Sequence, residues 1–236
     1  DNSFEVTPGL REKISNIKNV SLVSSRIESF ALAANHLRSK PAMVIGIEPE
    51  AEDQITNISK KIKKGLFLKN GDVGVVLGEG LANYLQLGVG DTLVMISQGY
   101  RGISASGLFV IKGIVSHPNP EFDKRMVYLD IETAREFYSA EGLSTSLVIM
   151  SDDHKYINRM KTEIEQFLPA NNTVMTWTEM QPEIVQLIES DRGSGLIMLG
   201  ILYMVIAFGM FSVVIMMVKE RKREFGVVNA IGMQKN

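Results

Sequence analysis

The alternation of apolar and polar residues changes period several times along the chain and then disappears. Leu10, Ile14 and Ile17 recur at helical spacing between residues 8 and 18, with Pro8 suited to a first turn. VSLVSSRIESFALAA then alternates like a half-buried strand, and PAMVIGI reads as its partner. The same grammar returns later. SLVIMS predicts a strand, DDHKYINRMKTEIEQFL a helix with Ile157, Met160, Ile164 and Phe167 on one face, and NTVMTW a second strand. Helix followed by strand near residue 10 and again near residue 160 suggests two related halves of one α+β layer. The first strand of the first half should then lie at or before residue 6.

The middle of the chain follows another rule. VGVVL, DTLVMIS, LFVIKGIVS and RMVYLDI are short strand patterns separated by glycine-rich turns, which predicts a small β subdomain. EGLANYLQLG reads as a short helix capped at Gly88, and IETAREFY as another.

Alternation ends at residue 195. Residues 195–218 form a run of 24 positions without a charge, GLIMLGILYMVIAFGMFSVVIMMV. A helix of about 20 apolar residues crosses a bilayer core, whereas core helices of soluble proteins keep a polar face. Lys219, Arg221, Lys222 and Arg223 follow the run; Glu183, Glu189 and Asp191 precede it, opposed by Arg192. Cationic flanks stay in the cytoplasm, so residues 1–194 are expected outside and residues 219–236 inside. A chain arranged in this way needs an anchor upstream of Asp1, so a further transmembrane helix is expected there. Ahead of the run, Thr178 and Gln181 read as a capping box with Pro182 in the first turn. Unless Gly193–Ser194–Gly195 interrupts it, one helix of about 40 residues, roughly 60 Å long, would join an external stalk to the span.

Composition narrows the chemistry. The chain has 236 residues, no cysteine and a formal charge of −2. The charge balance argues against a nucleic-acid partner, and the lack of cysteine excludes disulfide scaffolds and thiolate metal sites. His36, His117 and His154 lack ligand-like spacing. No Gly-x-Ser-x-Gly elbow occurs, and GDVGVVLGEG lacks the lysine of a phosphate-binding loop. Lys60–Lys64 reads as a solvated face, and Asp152–Asp153 as a helix start. No catalytic residue, metal or cofactor is expected.

Two stretches stand out as interaction sites. SQGYRGISASG, residues 97–107, is long for a hairpin loop and carries Gln98, Tyr100 and Arg101, of which Tyr and Arg are favoured in binding hot spots. KERKREFGVVNAIGMQKN places Phe225, Val228 and Gly232 on one helical line, with Val227 and Ile231 beside it. Its small residues, Gly226 and Ala230 to Gly232, suit a short helix docked on a cytoplasmic partner better than one lying on lipid.

VKERKREFGVVNAIGM resembles the signature that follows the second transmembrane helix of FtsX-like ABC transporter permeases, which include the MacB and LolC/LolE groups. GIEPE, VVLGEGLANYLQLGVGDTL, MVYLDIETAREFY and TWTEM resemble landmarks of the LolC/LolE lipoprotein-releasing branch. The resemblance implies an α+β fold with a two-part extracytoplasmic domain. Its parts would be a porter-like module in residues 1–62 and 143–180 and a β-rich, sabre-like insertion in residues 63–142. Residues 181–218 would be stalk and transmembrane helix, and residues 219–236 a cytoplasmic coupling segment. It further implies a non-catalytic permease of the mechanotransmission type in a bacterial inner membrane. A separate ABC ATPase subunit would contact Glu220, Arg221, Glu224, Phe225 and Gly226. A second permease subunit, like or unlike, would complete the pair, and a lipoprotein or periplasmic chaperone would meet the loop around residues 98–104. The alternatives are a MacB-like efflux permease for drugs or peptides, and a membrane sensor. The sensor should continue into heptads, which EFGVVNAIGM does not keep.

Overall fold

The computed structural model describes residues 3–169 and 172–232. In chain order the elements are β1 (Phe4–Glu5), α1 (Pro8–Ser15), β2 (Val20–Ala34), β3 (Ser39–Ile47), α2 (Pro49–Thr56), β4 (Ile62–Gly65), β5 (Val75–Gly78), α3 (Glu79–Leu85), β6 (Thr92–Gln98), β7 (Ser104–Val115), α4 (Pro120–Asp123), β8 (Met126–Asp130), α5 (Ile131–Tyr138), β9 (Leu143–Ser144), β10 (Ser146–Ser151), α6 (Ile157–Glu165), α7 (Trp177–Met180) and α8 (Pro182–Ala230). They form two units, Asp1–Val174 and Met175–Asn236.

Six strands of the first unit close a hydrogen-bonded ring. β2 pairs with β3, β3 with β8, β8 with β5, β5 with β7, β7 with β6, and β6 returns to the last residues of β2. The β3–β8 and β5–β7 pairs are parallel and the others antiparallel. Closure removes the open edges that would otherwise template aggregation. It draws β2 and β3 from the first segment of the chain and β5 to β8 from the β-rich middle, so the two share one sheet. β2 has length enough for two tasks: its first half holds β10, and its last three residues hold β6. Between them, at Phe30, side chains replace the ladder. The Ser97 hydroxyl donates to the Phe30 carbonyl at 2.5 Å and the Tyr138 hydroxyl at 3.4 Å. Burial pushes the Tyr138 pKa up to about 12, so the phenol remains a donor.

Val44, Val75, Leu77, Leu93, Phe109 and Leu129 fill the inside of the ring, where Leu81 and Leu85 of α3 and Phe137 of α5 join them. The opposite faces of β3, β5 and β8 build a second core from Ile47, Val76 and Tyr128 over Ile58 and Leu68. These strands are buried on both sides, which explains their unbroken apolar runs. Close packing sets the identity of two glycines. A Cβ on Gly46 would overlap Ala134 of α5, and one on Gly78 would strike the Asp123 carbonyl.

Several sequence expectations change. NTVMTW forms no strand; residues 172–176 join no ladder. β1 is where the first strand was expected, paired with β9. α3 ends at Leu85, and Gln86, left-handed at φ 54°, caps it in place of Gly88. The capping box is built two residues earlier than expected. Thr176 and Glu179 form it around α7, with the Thr176 N–H donating to Glu179 at 2.8 Å. α8 therefore starts at Pro182 without a side-chain cap.

The second unit is dominated by α8. It is one helix of 49 residues, and Gly193–Ser194–Gly195 do not break it. At 1.5 Å per residue it is roughly 70 Å long. No residue of its apolar window is buried by protein, and length and composition suit a membrane span. The basic turn and residues 224–230 continue the same helix and form no separate docking helix. Met233, the last residue of the quoted signature, and the three residues after it lie outside the described residues.

Candidate functional site

The hairpin expected to be long is tight. The β6–β7 ladder runs to Gln98 opposite Ser104, leaving only residues 99–103 in the turn. Gly99 N–H donates to the Ile103 carbonyl at 2.6 Å, and Gly102 N–H to the Gly99 carbonyl at 3.1 Å. Arg101 adopts a left-handed φ of 57° and Gly102 follows at 79°. The turn lies close to α5, where a Cβ on Gly99 would approach the Tyr138 carbonyl at 2.7 Å. Tyr100 is half-buried and packs on the barrel core, so it anchors the turn. Arg101 is exposed, its guanidinium 5.3 Å from the Tyr100 ring centroid. Gln98 is exposed at the strand end. The structure thus brings the three expected residues together: Gln98 and Arg101 are exposed, and Tyr100 is held by its ring.

Glu220, Arg221, Glu224, Phe225 and Gly226 all lie on α8. Arg221, Lys222 and Phe225 share one helix face with Val214, Met217 and Val218. That face carries apolar character out of the span and into the basic turn. Glu220 and Glu224 are four residues apart, so they neighbour each other on the helix surface. A Cβ on Gly226 would meet nothing within 4 Å, so nothing inside the described chain demands a glycine there.

Two further features were missed in the sequence. The first is a groove of about 600 Å³ where α2 and α5 begin, beside the carboxyl ends of parallel β3 and β8. Its charges are largely satisfied. Arg11 grips both oxygens of Glu48 at 2.6 and 2.7 Å, and Arg135 meets Glu132 at 2.6 Å. The hydrogen bond to Glu48 raises the Arg11 pKa above its ordinary value against the opposing pull of burial. Asp130 is buried and accepts N–H bonds from Gly71 and Glu132. The second is the outward face of β2, β6 and β7, where Phe30, Leu32, Ile96, Leu108 and Val110 stand exposed. Among the described residues, no group of three or more His, Cys, Asp or Glu side chains is arranged to hold a metal ion.

Residues 2–167 match the family model described as the MacB-like periplasmic core domain. The lipoprotein-releasing system transmembrane protein LolC of Xylella fastidiosa (strain 9a5c) is 23% identical over 215 residues, which is 88% of this chain and 51% of that protein. LolC of Neisseria meningitidis serogroup B (strain ATCC BAA-335 / MC58) is 23% identical over 227 residues, 92% of this chain and 54% of that protein. The chain spans about half the length of the curated relatives it matches. Among solved structures, the extracellular domain of the noncanonic ABC-type transporter YknZ from Gram-positive bacteria aligns with a TM-score of 0.56 at 10% identity, over 74% of this chain and 90% of that one. The periplasmic region of MacB from Actinobacillus actinomycetemcomitans aligns with a TM-score of 0.55 at 16% identity, over 79% and 84%. Both share the fold of the first unit.

Proposed function

The chain belongs to the MacB-like periplasmic core domain family, and from that premise we propose that it is part of a permease subunit of an ABC transporter. On this reading the barrel-bearing unit lies outside the cytoplasmic membrane and α8 passes through it. An ATPase subunit in the cytoplasm binds the helix beyond Val218. The observation that carries the reading is the continuity of α8 from Pro182 to Ala230. A helix hydrogen-bonded throughout is stiff enough to pass a displacement from its basic end to its outer end, which a broken linker would absorb. The charges fit the same direction: acids Glu183, Glu189 and Asp191 precede the apolar run, and Lys219 to Arg223 follow it.

Glu220, Arg221, Glu224, Phe225 and Gly226 are the residues we assign to ATPase docking. Arg221 and Phe225 form its contact face, and Gly226 allows close backbone approach. The cargo we assign is a lipoprotein, on the strength of relatives named as lipoprotein-releasing proteins. A second permease subunit completes the transporter. Residues 63–142 act as the sabre-like part and residues 1–62 with 143–180 as the porter-like part.

The test is co-purification of the ATPase subunit from membranes. Arg221→Ala with Phe225→Ala is expected to cut recovered ATPase at least tenfold while the first unit unfolds at the same temperature. Undiminished recovery would sink the docking assignment. Release of a radiolabelled lipoprotein from vesicles tests the cargo, and drug or peptide export without lipoprotein release would favour the efflux alternative.

A further inference from the structure

β3 and β8 are neighbouring parallel strands, and each leads directly into a helix, β3 into α2 and β8 into α5. The two helices go to opposite faces of the sheet. Ile131 and Ala134 of α5 join Ile27 in the first core. Glu52 of α2 instead binds Arg26, the preceding side chain of β2 and so on the other face. Where the helices after two parallel strands part in this way, a crevice stays open beyond the carboxyl ends of the strands. Sheets of this kind take their ligands there. The groove of about 600 Å³ occupies that place, and its volume suits a small organic molecule.

Its polar groups divide into those already bound and those left free. Arg11 and Arg135 are held by Glu48 and Glu132, each at 2.6 Å. Asp130 accepts two backbone N–H groups. Ser25 lines the groove and is 1% exposed, yet its hydroxyl makes no hydrogen bond among the described residues. A buried hydroxyl without a partner weakens the fold, and a bound N–H would supply one. The Glu50 carboxylate, in the first turn of α2, is exposed and has no ion pair among the described residues. The side-chain amides of Gln54 and Asn70 are exposed and equally without partners there. Gln54 lies one helical turn from Glu50, so the two share a face of α2.

The balance of charge selects the ligand. Four carboxylates, Glu48, Glu50, Asp130 and Glu132, stand against two guanidinium groups that are both paired. The helix starts favour an anion, but Glu50 and Glu132 already answer them from the first turns. A phosphate or carboxylate entering the groove meets like charge, whereas an ammonium meets the open carboxylate of Glu50. Side-chain amides match a peptide group, since each offers a donor and an acceptor. We propose that the groove binds the amino terminus of a short peptide. Its ammonium rests on Glu50, its peptide groups on Gln54, Asn70 and the Ser25 hydroxyl, and a small apolar side chain against Val6 and Leu22. A polyamine carries the same ammonium but no peptide group, which the test separates.

The full chain in detergent micelles is titrated calorimetrically with leucyl-alanine amide, a dipeptide without a carboxyl charge. Saturable binding with a dissociation constant below about 1 mM is expected. N-acetylation of the dipeptide, or Glu50→Gln, should weaken it roughly tenfold, and Ser25→Ala roughly threefold. Glu136→Gln, at an exposed acid of α5 that does not line the groove, should leave it within about twofold. Because Glu50 has no partner to lose, Glu50→Gln should unfold at the wild-type temperature, so the test stands even if Ser25→Ala folds poorly. Spermidine should bind roughly fivefold more weakly than the dipeptide amide. Absence of saturable binding, equal affinity for the acetylated dipeptide, an unchanged constant in Glu50→Gln, or spermidine held as tightly as the dipeptide would each overturn the proposal. The readout involves neither ATPase nor lipoprotein, so it fails or succeeds independently of the permease assignment.

Discussion

Glycine serves opposite ends in the two units. In the barrel it marks contact. Gly46 and Gly78 leave no room for a Cβ because α5 and the end of α4 press on the backbone there. In α8, Gly193, Gly195, Gly200, Gly209 and Gly226 have nothing within 4 Å of the place a Cβ would take. A helix interior loses about 1 kcal/mol for each glycine in place of alanine. In the barrel the packing of the same chain explains the residue. In α8 nothing among the described residues does. Apolar residues show the same contrast: Leu77, Leu93 and Leu129 are fully buried, while Leu196, Ile201 and Phe208 stand more than half exposed. One unit makes its own apolar surroundings; the other requires them to be supplied.

The sharpest test of the self-contained unit concerns its buried ion pair. Glu52 is 3% exposed and binds Arg26 through both oxygens at 2.8 and 2.9 Å. Glu52→Ala leaves Arg26, among the described residues, with Glu28 at 3.8 Å as its acidic partner, and is expected to cost about 3–5 kcal/mol in denaturant unfolding. A loss under 1 kcal/mol would show that the first unit does not depend on this pair.

Next comes the glycine contrast itself. Gly46→Ala forces a methyl into Ala134 and should destabilise the first unit by about 1–3 kcal/mol. Gly200→Ala meets no clash and should raise the helix content of α8 slightly, with the unfolding of the first unit unchanged. Equal effects in the two places would remove the distinction.

The smallest expected effect is a pH dependence confined to the first unit. The His117 ring stacks near Tyr128, with Nε2 3.0 Å from the Tyr128 hydroxyl. Burial holds its pKa below the ordinary 6.5, against the pull of Asp123 and with help from Lys61. The unfolded chain therefore takes up a proton at a higher pH than the folded one. Stability from this group is complete above pH 6.5 and declines as pH falls from there toward the lower folded value. His117→Gln should reduce the drop in melting temperature between pH 7.5 and pH 5 by about 2 °C. An unaltered drop would remove His117 from the acid response.

How much was legible varies with the kind of interaction. β2, β3, β5 to β8, α3, α5 and α8 follow local pattern and appear where apolar spacing put them. NTVMTW has the same pattern as the strands but gains no partner among the described residues, because a strand exists only when another edge is available to it. The capping box also misled. Two overlapping Thr-x-x-acid/amide frames occur, Thr176 with Glu179 and Thr178 with Gln181, and only the fold selects the first. At the hairpin, residue types pointed to Tyr100 as a contact, yet the ring is spent on the core. LFVI in β7 is an unbroken apolar run. Phe109 and Ile111 are buried while Leu108 and Val110 are open. No spacing rule separates those cases.

Sequence alone settled what depends on neighbours along the chain: the uncharged run of residues 195–218, its basic border and the α+β character of what precedes it. Helical and extended periods, and the length needed to span lipid, are properties of consecutive residues. Tertiary structure alone decided that the strands close into a ring through β2 and β6, which apolar face stays open, and which glycines are obligatory. Those outcomes follow from contacts between residues such as Leu32 and Ile96, which are far apart in the chain and meet only when the whole sheet has closed.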